Sequence, residues 1–310
     1  MSVLEVNHLT KDYGSNRGVF DVSFSVKEGE CFGFLGPNGA GKSTTIRHLM
    51  GFSCPQEGEC KIFGLNTFKH YQDILSNVGY IPGEISLPSG LNGYEFISMM
   101  QDLYGIHNEQ MLNKMLNMFE LDDNMLKCDT KHMSLGVKRK LAIVTSFMSD
   151  PKVLILDEPT SGLDPIMQKR FVDFILEEKK RGKTILLSSH IFTEVDNTCD
   201  RIAIIKDGKI VSEFIADDLK HASKKQYRIV FNNKDMYDKF LASYDKNIIT
   251  ILKESPLKNK LFILCDDTNI NQVINILSNY ELKEFNHIKE TLEDYFMKFY
   301  KEDRDFGGAL

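Results

Sequence analysis

Residues 36–43 read "GPNGAGKS", which fits G-x-x-x-x-G-K-[ST]. Glycines there let the backbone wrap inward, so that successive N–H groups point at phosphate oxygens. The candidate nucleotide-binding residues are Gly36, Pro37, Asn38, Gly39, Ala40, Gly41, Lys42, Ser43 and Thr44. Lys42 suits the β/γ-phosphates and the Ser43 hydroxyl suits Mg²⁺. A glycine corner used only for its turn is the plainer reading; strand, motif and helix together favour the phosphate site. Further on, "VLILDEP" (153–159) ends an apolar run on two carboxylates. Asp157 can hold the metal directly or through water, and Glu158 is placed as general base for an attacking water. His190 closes "ILLSSH", where it can donate to a phosphate or position the water. "MSLGVKRK" (133–140) sets Ser134 and Gly136 just ahead of a strongly helical run, as expected of a helix N-terminus that meets an anion.

These residues need a frame. "VFDVSFSV" (19–26) alternates as a half-buried strand, and "ECFGFLG" (30–36) is apolar enough for the centre of a sheet. The glycine turn is followed by a helix over "KSTTIRHLMGF", and residues 92–127, rich in Met, Leu, Phe and Asn, read as a helical insertion. "KVLILDEP" and "KTILLSSH" are short buried strands, each preceded by a helical stretch. That alternation predicts parallel strands with helices on both faces. Composition shifts near residue 220. "QYRIVF", "IITIL" and "KLFILC" read as strands of a small α+β domain. Its helical stripes are Ile270, Val273, Ile274 and Leu277, then Leu292, Tyr295, Phe296 and Phe299, with Thr291 as N-cap. The final "DFGGAL" reads as a frayed end.

Composition narrows the function classes. The chain has 310 residues, 42% hydrophobic and 26% charged, which suits one large domain and a small one, or two medium ones. A net charge of −6 argues against a general nucleic-acid binder. The basic run "KKRGK" (179–183) follows "FILEE" and reads as cations at a helix C-terminus, with Gly182 as C-cap. Cys31, Cys54, Cys60, Cys128, Cys199 and Cys265 form no CxxC pair and read as reduced thiols. The N-terminus lacks a basic start and an apolar core, so no signal peptide is expected. No apolar run approaches a bilayer span, so no direct membrane insertion is expected. "NNKDM" (232–236) places its Asp one position early for guanine reading, so a GTPase is not expected.

The order and spacing of "GPNGAGKST", "MSLGVKRK", "VLILDEPTSGLDP" and "LLSSH" resemble an ATP-binding cassette (ABC) ATPase over residues 1–215 or so. The resemblance implies a P-loop ABC core with a RecA-like mixed sheet over 1–218, a helical subdomain at about 88–150, and the α+β domain over 222–310. It implies ATP and Mg²⁺ as cofactors, with Ser43 and Asp157 at the metal and Lys42, Glu158 and His190 catalytic. Tyr13 matches the aromatic that stacks on adenine. "MSLGV" falls at the family's signature, so Ser134 and Gly136 are expected to meet the ATP of a partner cassette paired head to tail. Asp164 of "SGLDP" is expected at the dimer seam. Leu135 and Val137 replace the signature's usual glycine and glutamine. In "VGYIPGEISL" (78–87), Gly83 occupies the place of the family's metal-sensing glutamine.

The tail resembles the accessory domains of exporter-type ABC ATPases that work with separate permeases. The expected partners are a membrane permease and a second cassette, identical or a sister chain, with no nucleic acid. The expected place is the cytoplasmic face of the cell membrane, peripheral through the permease, with 92–127 holding the permease's coupling helix. The cargo class is a drug, bacteriocin or amphipathic peptide. The rival class is a soluble ABC ATPase acting on ribosomes or DNA. Those typically carry two cassettes in one chain or a long coiled coil, and this chain has neither. A binding module that has lost hydrolysis is disfavoured by the presence of Lys42, Glu158 and His190.

Overall fold

Strand β1 (Ser2–Asp12) runs antiparallel to β2 (Gly18–Lys27) in the computed structural model, which describes residues 1–15, 17–220, 224–288 and 291–301. The buried pairs Leu4–Val26, Val6–Phe24 and Leu9–Val22 turn one apolar face inward. Register shifts between Val6 and Leu9, and between Leu9 and Lys11, break the period of two, so β1 leaves no clean alternation in the sequence. After β3 (Cys31–Leu35) come the glycine loop and α1 (Lys42–Leu49). Strands β4 (Glu57–Ile62) and β5 (Leu65–Asn66) then complete an antiparallel sheet of order β2-β1-β4-β5.

Helix α2 (Tyr71–Leu75) leads into β6 (Val78–Ile81). The helical insertion follows as α3 (Gly93–Tyr104), α4 (Glu109–Met118) and α5 (Asp123–Lys127), capped by Asn92, Asn108 and Asp122. Each cap side chain accepts an N–H that the helix would otherwise leave unpaired. Phe96, Ile97, Met115 and Phe119 of this segment are buried core, while Leu103 is exposed. The chain continues through α6 (Leu135–Phe147), β7 (Val153–Asp157), α7 (Pro165–Lys180), β8 (Thr184–Ser189), α8 (Phe192–Thr198), β9 (Arg201–Lys206) and β10 (Lys209–Ile215). The second sheet has the order β10-β9-β3-β8-β7-β6; all neighbours are parallel except β10, which is antiparallel to β9.

Strands β3, β7 and β8 are buried at every residue, which explains their unbroken apolar runs. Helices alone do not cover both faces of this sheet, contrary to expectation. On one face, side chains of β1, β2 and β4 share a core with α1, β3 and β7, and Phe24 stacks on Phe32 at 5.1 Å. The antiparallel sheet has one apolar face to bury, and it buries it there. At the end of α7, Gly182 takes φ +83° and donates its N–H to Lys179 O. Lys183 of the basic run is not solvated: it is buried, 3.1 Å from Glu178.

The chain divides into two compact units, Met1–Ala216 and Asp217–Leu310. Helix α9 (Ala216–Lys220) lies at the division. The second unit runs β11 (Lys224–Phe231), α10 (Lys234–Ser243), β12 (Thr250–Ser255), β13 (Lys260–Asp266), α11 (Ile270–Leu277), β14 (Leu282–Ile288) and α12 (Leu292–Lys301). Its antiparallel sheet, ordered β12-β13-β11-β14, presents Tyr227, Ile229, Phe231, Leu261 and Ile263 to Phe240 of α10 and Val273 and Leu277 of α11. This is the β-α-β-β-α-β arrangement of a split βαβ unit. Ile274 departs from its expected stripe and is 47% exposed, because it sits one step round the helix from the Val273–Leu277 line. Thr291 caps α12, its Oγ1 accepting from Asp294 N–H at 3.1 Å. The terminal "DFGGAL" lies outside the described residues.

Candidate functional site

The glycine loop leaves β3 and is gripped from both sides. A Cβ on Gly36 would stand 2.6 Å from the Ile205 carbonyl oxygen, and one on Gly41 would stand 2.8 Å from Val19 Cγ1. Gly41 also takes φ +111°, so both positions require glycine. Pro37, Asn38 and Gly39 are exposed along the loop's outer edge, and Ser43 is exposed at the start of α1. Helix α1 has no side-chain cap, so its first N–H groups stay open to an anion. Tyr13, in the turn between β1 and β2, is 58% exposed, with Lys11 Nζ 5.8 Å from its ring. That turn returns through Gly18 and Val19, which pack on Gly41.

Lys42 is buried and folds back on the loop, donating to the Gly36 carbonyl at 2.7 Å and the Pro37 carbonyl at 3.1 Å. Its Nζ also lies 3.3 Å from Glu158 Oε1. The other Glu158 oxygen lies 3.2 Å from His190 Nδ1. Parallel register explains this gathering: β8 lies between β3 and β7, and Asp157 stands opposite Ser188. All three strands end on the same side, where ligands of open α/β sheets collect. Asp157 is 2% exposed and accepts from Ser188 Oγ at 2.8 Å. Glu158 leaves the strand with φ +46°, uncommon for a residue with a Cβ, and donates its N–H to the Ser188 carbonyl. Burial and the charge of Asp157 push the nearby Tyr80 hydroxyl up to about 12.

These groups fit a magnesium nucleotide. Mg²⁺ keeps few protein ligands and shares its shell with phosphates. One held carboxylate and one exposed hydroxyl, Asp157 and Ser43, are a donor set of that kind. Among the described residues no cluster of His, Cys, Asp or Glu forms an all-protein cage.

Among the described residues, the side chains of the remaining predicted residues bond locally and not to this centre. Ser134 is the exposed N-cap of α6, its Oγ accepting from Val137 N–H at 3.3 Å. Gly136 packs toward the Gly162 carbonyl of its own chain. Among the described residues, neither Ser134 nor Gly136 hydrogen-bonds to residues 36–44. Asp164 caps α7, and the N–H groups of Met167 and Ile166 hold its carboxyl below the usual range.

Sequence reasoning missed three groups here. Ser188 steadies Asp157. Glu194 accepts from Ser189 Oγ at 2.8 Å and from Thr160 Oγ1, tying the residues beside His190 and Glu158 together. Arg139 donates to the carbonyls of Pro82, Gly83 and Ser161. Only Ser188, two places before His190, carried a local signal. The partners of the other two are far apart in sequence.

Comparison with known proteins agrees with the geometry. A family model described as ABC transporter matches residues 19–161. The bacitracin transport ATP-binding protein BcrA of Bacillus licheniformis is 34% identical over 309 residues, covering 96% of this chain and 97% of that protein. The Nod factor export ATP-binding protein I of Ralstonia nicotianae is 33% identical over 213 residues, 68% of this chain and 66% of that one. A solved ATP-binding subunit of an ABC transporter superposes with a TM-score of 0.66 at 33% identity, over 71% of this chain and 92% of that one. With its glycine loop, buried carboxylate and paired Glu158 and His190, the chain belongs to the ABC transporter family, as an ATP-binding subunit that hydrolyses ATP.

Proposed function

We propose that two such cassettes close around two ATP molecules and drive a separate membrane permease that exports a drug, bacteriocin or amphipathic peptide. One observation carries the pairing: Ser134 is the exposed N-cap of α6 and, among the described residues, neither it nor Gly136 hydrogen-bonds to the chain's own glycine loop, which leaves an anion-ready helix end. Such a site serves a phosphate held by another subunit. Similarity to a bacitracin transport subunit over nearly the whole of both chains, and to a Nod factor export subunit, supports export and this cargo class. Among the described residues no helix is long and apolar enough to cross a membrane, so the permease supplies the path.

In this reading Tyr13 stacks on adenine, and Lys42 leaves the carbonyls of Gly36 and Pro37 for the β/γ-phosphates. Ser43 and Asp157 would hold Mg²⁺, which when bound would neutralise phosphate charge. Glu158 takes the proton of the attacking water, and His190 orients that water or donates to the γ-phosphate. Closure shifts the permease between two conformations, and hydrolysis reopens the pair.

The test is to tag the full chain and purify it from detergent-solubilised membranes. We expect a polytopic membrane protein to co-elute, and candidate cargo to stimulate ATP turnover after reconstitution in vesicles. Recovery with ribosomes or DNA, with no cargo stimulation, would favour the soluble class instead.

A further inference from the structure

Arg139 lies on the second turn of α6, the helix that Ser134 begins, and is 2% exposed. Among the described residues no carboxylate forms an ion pair with it. Its guanidinium is spent on backbone carbonyls instead: Nε on Ser161 at 2.9 Å, Nη1 on Pro82 at 2.8 Å and Nη2 on Gly83 at 2.7 Å. Burial lowers its pKa, while the charges of Glu158 and Asp157 act the other way. A buried cation without a partner carboxylate is costly, and a planar fork of donors is the feature that lysine cannot reproduce.

The carbonyls it holds flank the catalytic carboxylates. Gly83 follows β6, and a Cβ there would stand 3.1 Å from Asp157 Oδ2. Ser161 lies in the loop that leaves Glu158 and ends at Asp164, the cap of α7. One side chain rooted in α6 therefore fixes the main chain on both sides of Asp157 and Glu158.

We infer that Arg139 is a positioning residue for hydrolysis, setting the backbone of residues 82–83 against Asp157 and that of residue 161 behind Glu158. The inference rests on the assignment of Asp157 to the metal and Glu158 to the water. It does not depend on export or on pairing.

The test uses the full chain with Arg139→Lys, which keeps the charge and loses the fork, and Gly83→Ala, which moves the same wall with Arg139 intact. For each variant we would measure apo melting, ATP affinity in EDTA, kcat and KM, and the Mg²⁺ concentration that half-saturates metal-dependent nucleotide binding. For Arg139→Lys we expect kcat to fall by roughly tenfold or more, with ATP affinity in EDTA and KM little changed. The Mg²⁺ midpoint should rise in both variants. Should Arg139→Lys fail to fold, Gly83→Ala decides: an unmoved Mg²⁺ midpoint there overturns the inference. A folded Arg139→Lys with kcat and Mg²⁺ midpoint within about twofold of the parent overturns it too. So does a kcat loss matched by the loss of nucleotide-binding fraction, which makes Arg139 merely structural. Wild-type turnover in Glu158→Gln would overturn the reading of the centre itself, separately from Arg139.

Discussion

Glu158 stands where the strand stops and the chemistry begins. Its left-handed backbone costs on the order of 1–3 kcal/mol for a residue with a Cβ, and the bond from its N–H to Ser188 O helps hold it there. The turn lets neighbouring residues serve different ends: Asp157 stays buried against Ser188, while Glu158 reaches Lys42 on one side and His190 on the other. Glu158→Gln keeps the shape and removes the proposed base. Hydrolysis should fall by about 10²–10⁴-fold in a phosphate-release assay. ATP affinity by equilibrium binding should hold, because the substitution removes no group of residues 36–44 and takes only a neighbour from Lys42. Turnover at the parent rate would exclude Glu158 as the base.

Helix α6 does two things at its N-terminus. Ser134 closes the helix by capping Val137 N–H, and in the proposed pair the same exposed end would offer its dipole and the Gly136 backbone to an anion. Ser134→Ala should cost about 1 kcal/mol of stability. For a unit of this size the melting midpoint should drop by about 2–4 °C. Scanning calorimetry of the isolated chain checks this, and ATP affinity in EDTA should not move. An unchanged midpoint would mean that the hydroxyl is not used as a cap. The same elements show what the sequence makes legible. "GPNGAGKS", "VLILDEP" and "LLSSH" are contiguous, and β3, β7 and β8 are short enough that each motif sits at a strand end. Arg139 gave no signal, because its partners are carbonyls at positions 82, 83 and 161, and a carbonyl carries no residue type. Strand β1 hid behind its bulges. Helix α10 hid behind a polar surface: its "NNKDM" start resembles a guanine-reading motif, which the early Asp rules out, and Asn233 is the N-cap.

For the whole molecule, the reciprocal geometry proposed for the pair makes a prediction that no single chain can satisfy. Lys42→Ala breaks a chain's own phosphate loop, and Ser134→Arg breaks the partner's site by placing bulk and charge at the phosphate contact. If the chain pairs with itself, each variant alone should be nearly inactive. An equimolar mixture should recover roughly a quarter of the parent activity, since half the dimers are hybrids with one intact site. No recovery, in a mixture where hybrids form, would mean that Ser134 serves its own chain or that turnover needs both sites. The sheet order has a different consequence, for synthesis. Strand β3 lies between β8 and β9, so it has no parallel neighbour until translation reaches Thr184 and then Lys206. At ~5–20 residues per second, Phe32, Phe34 and Leu35 emerge on the order of ten to thirty seconds before their frame is complete. The nascent chain therefore shows an uncharged, apolar strand to the ribosome's surroundings, and to chaperones that hold such segments, well before it can hold a nucleotide.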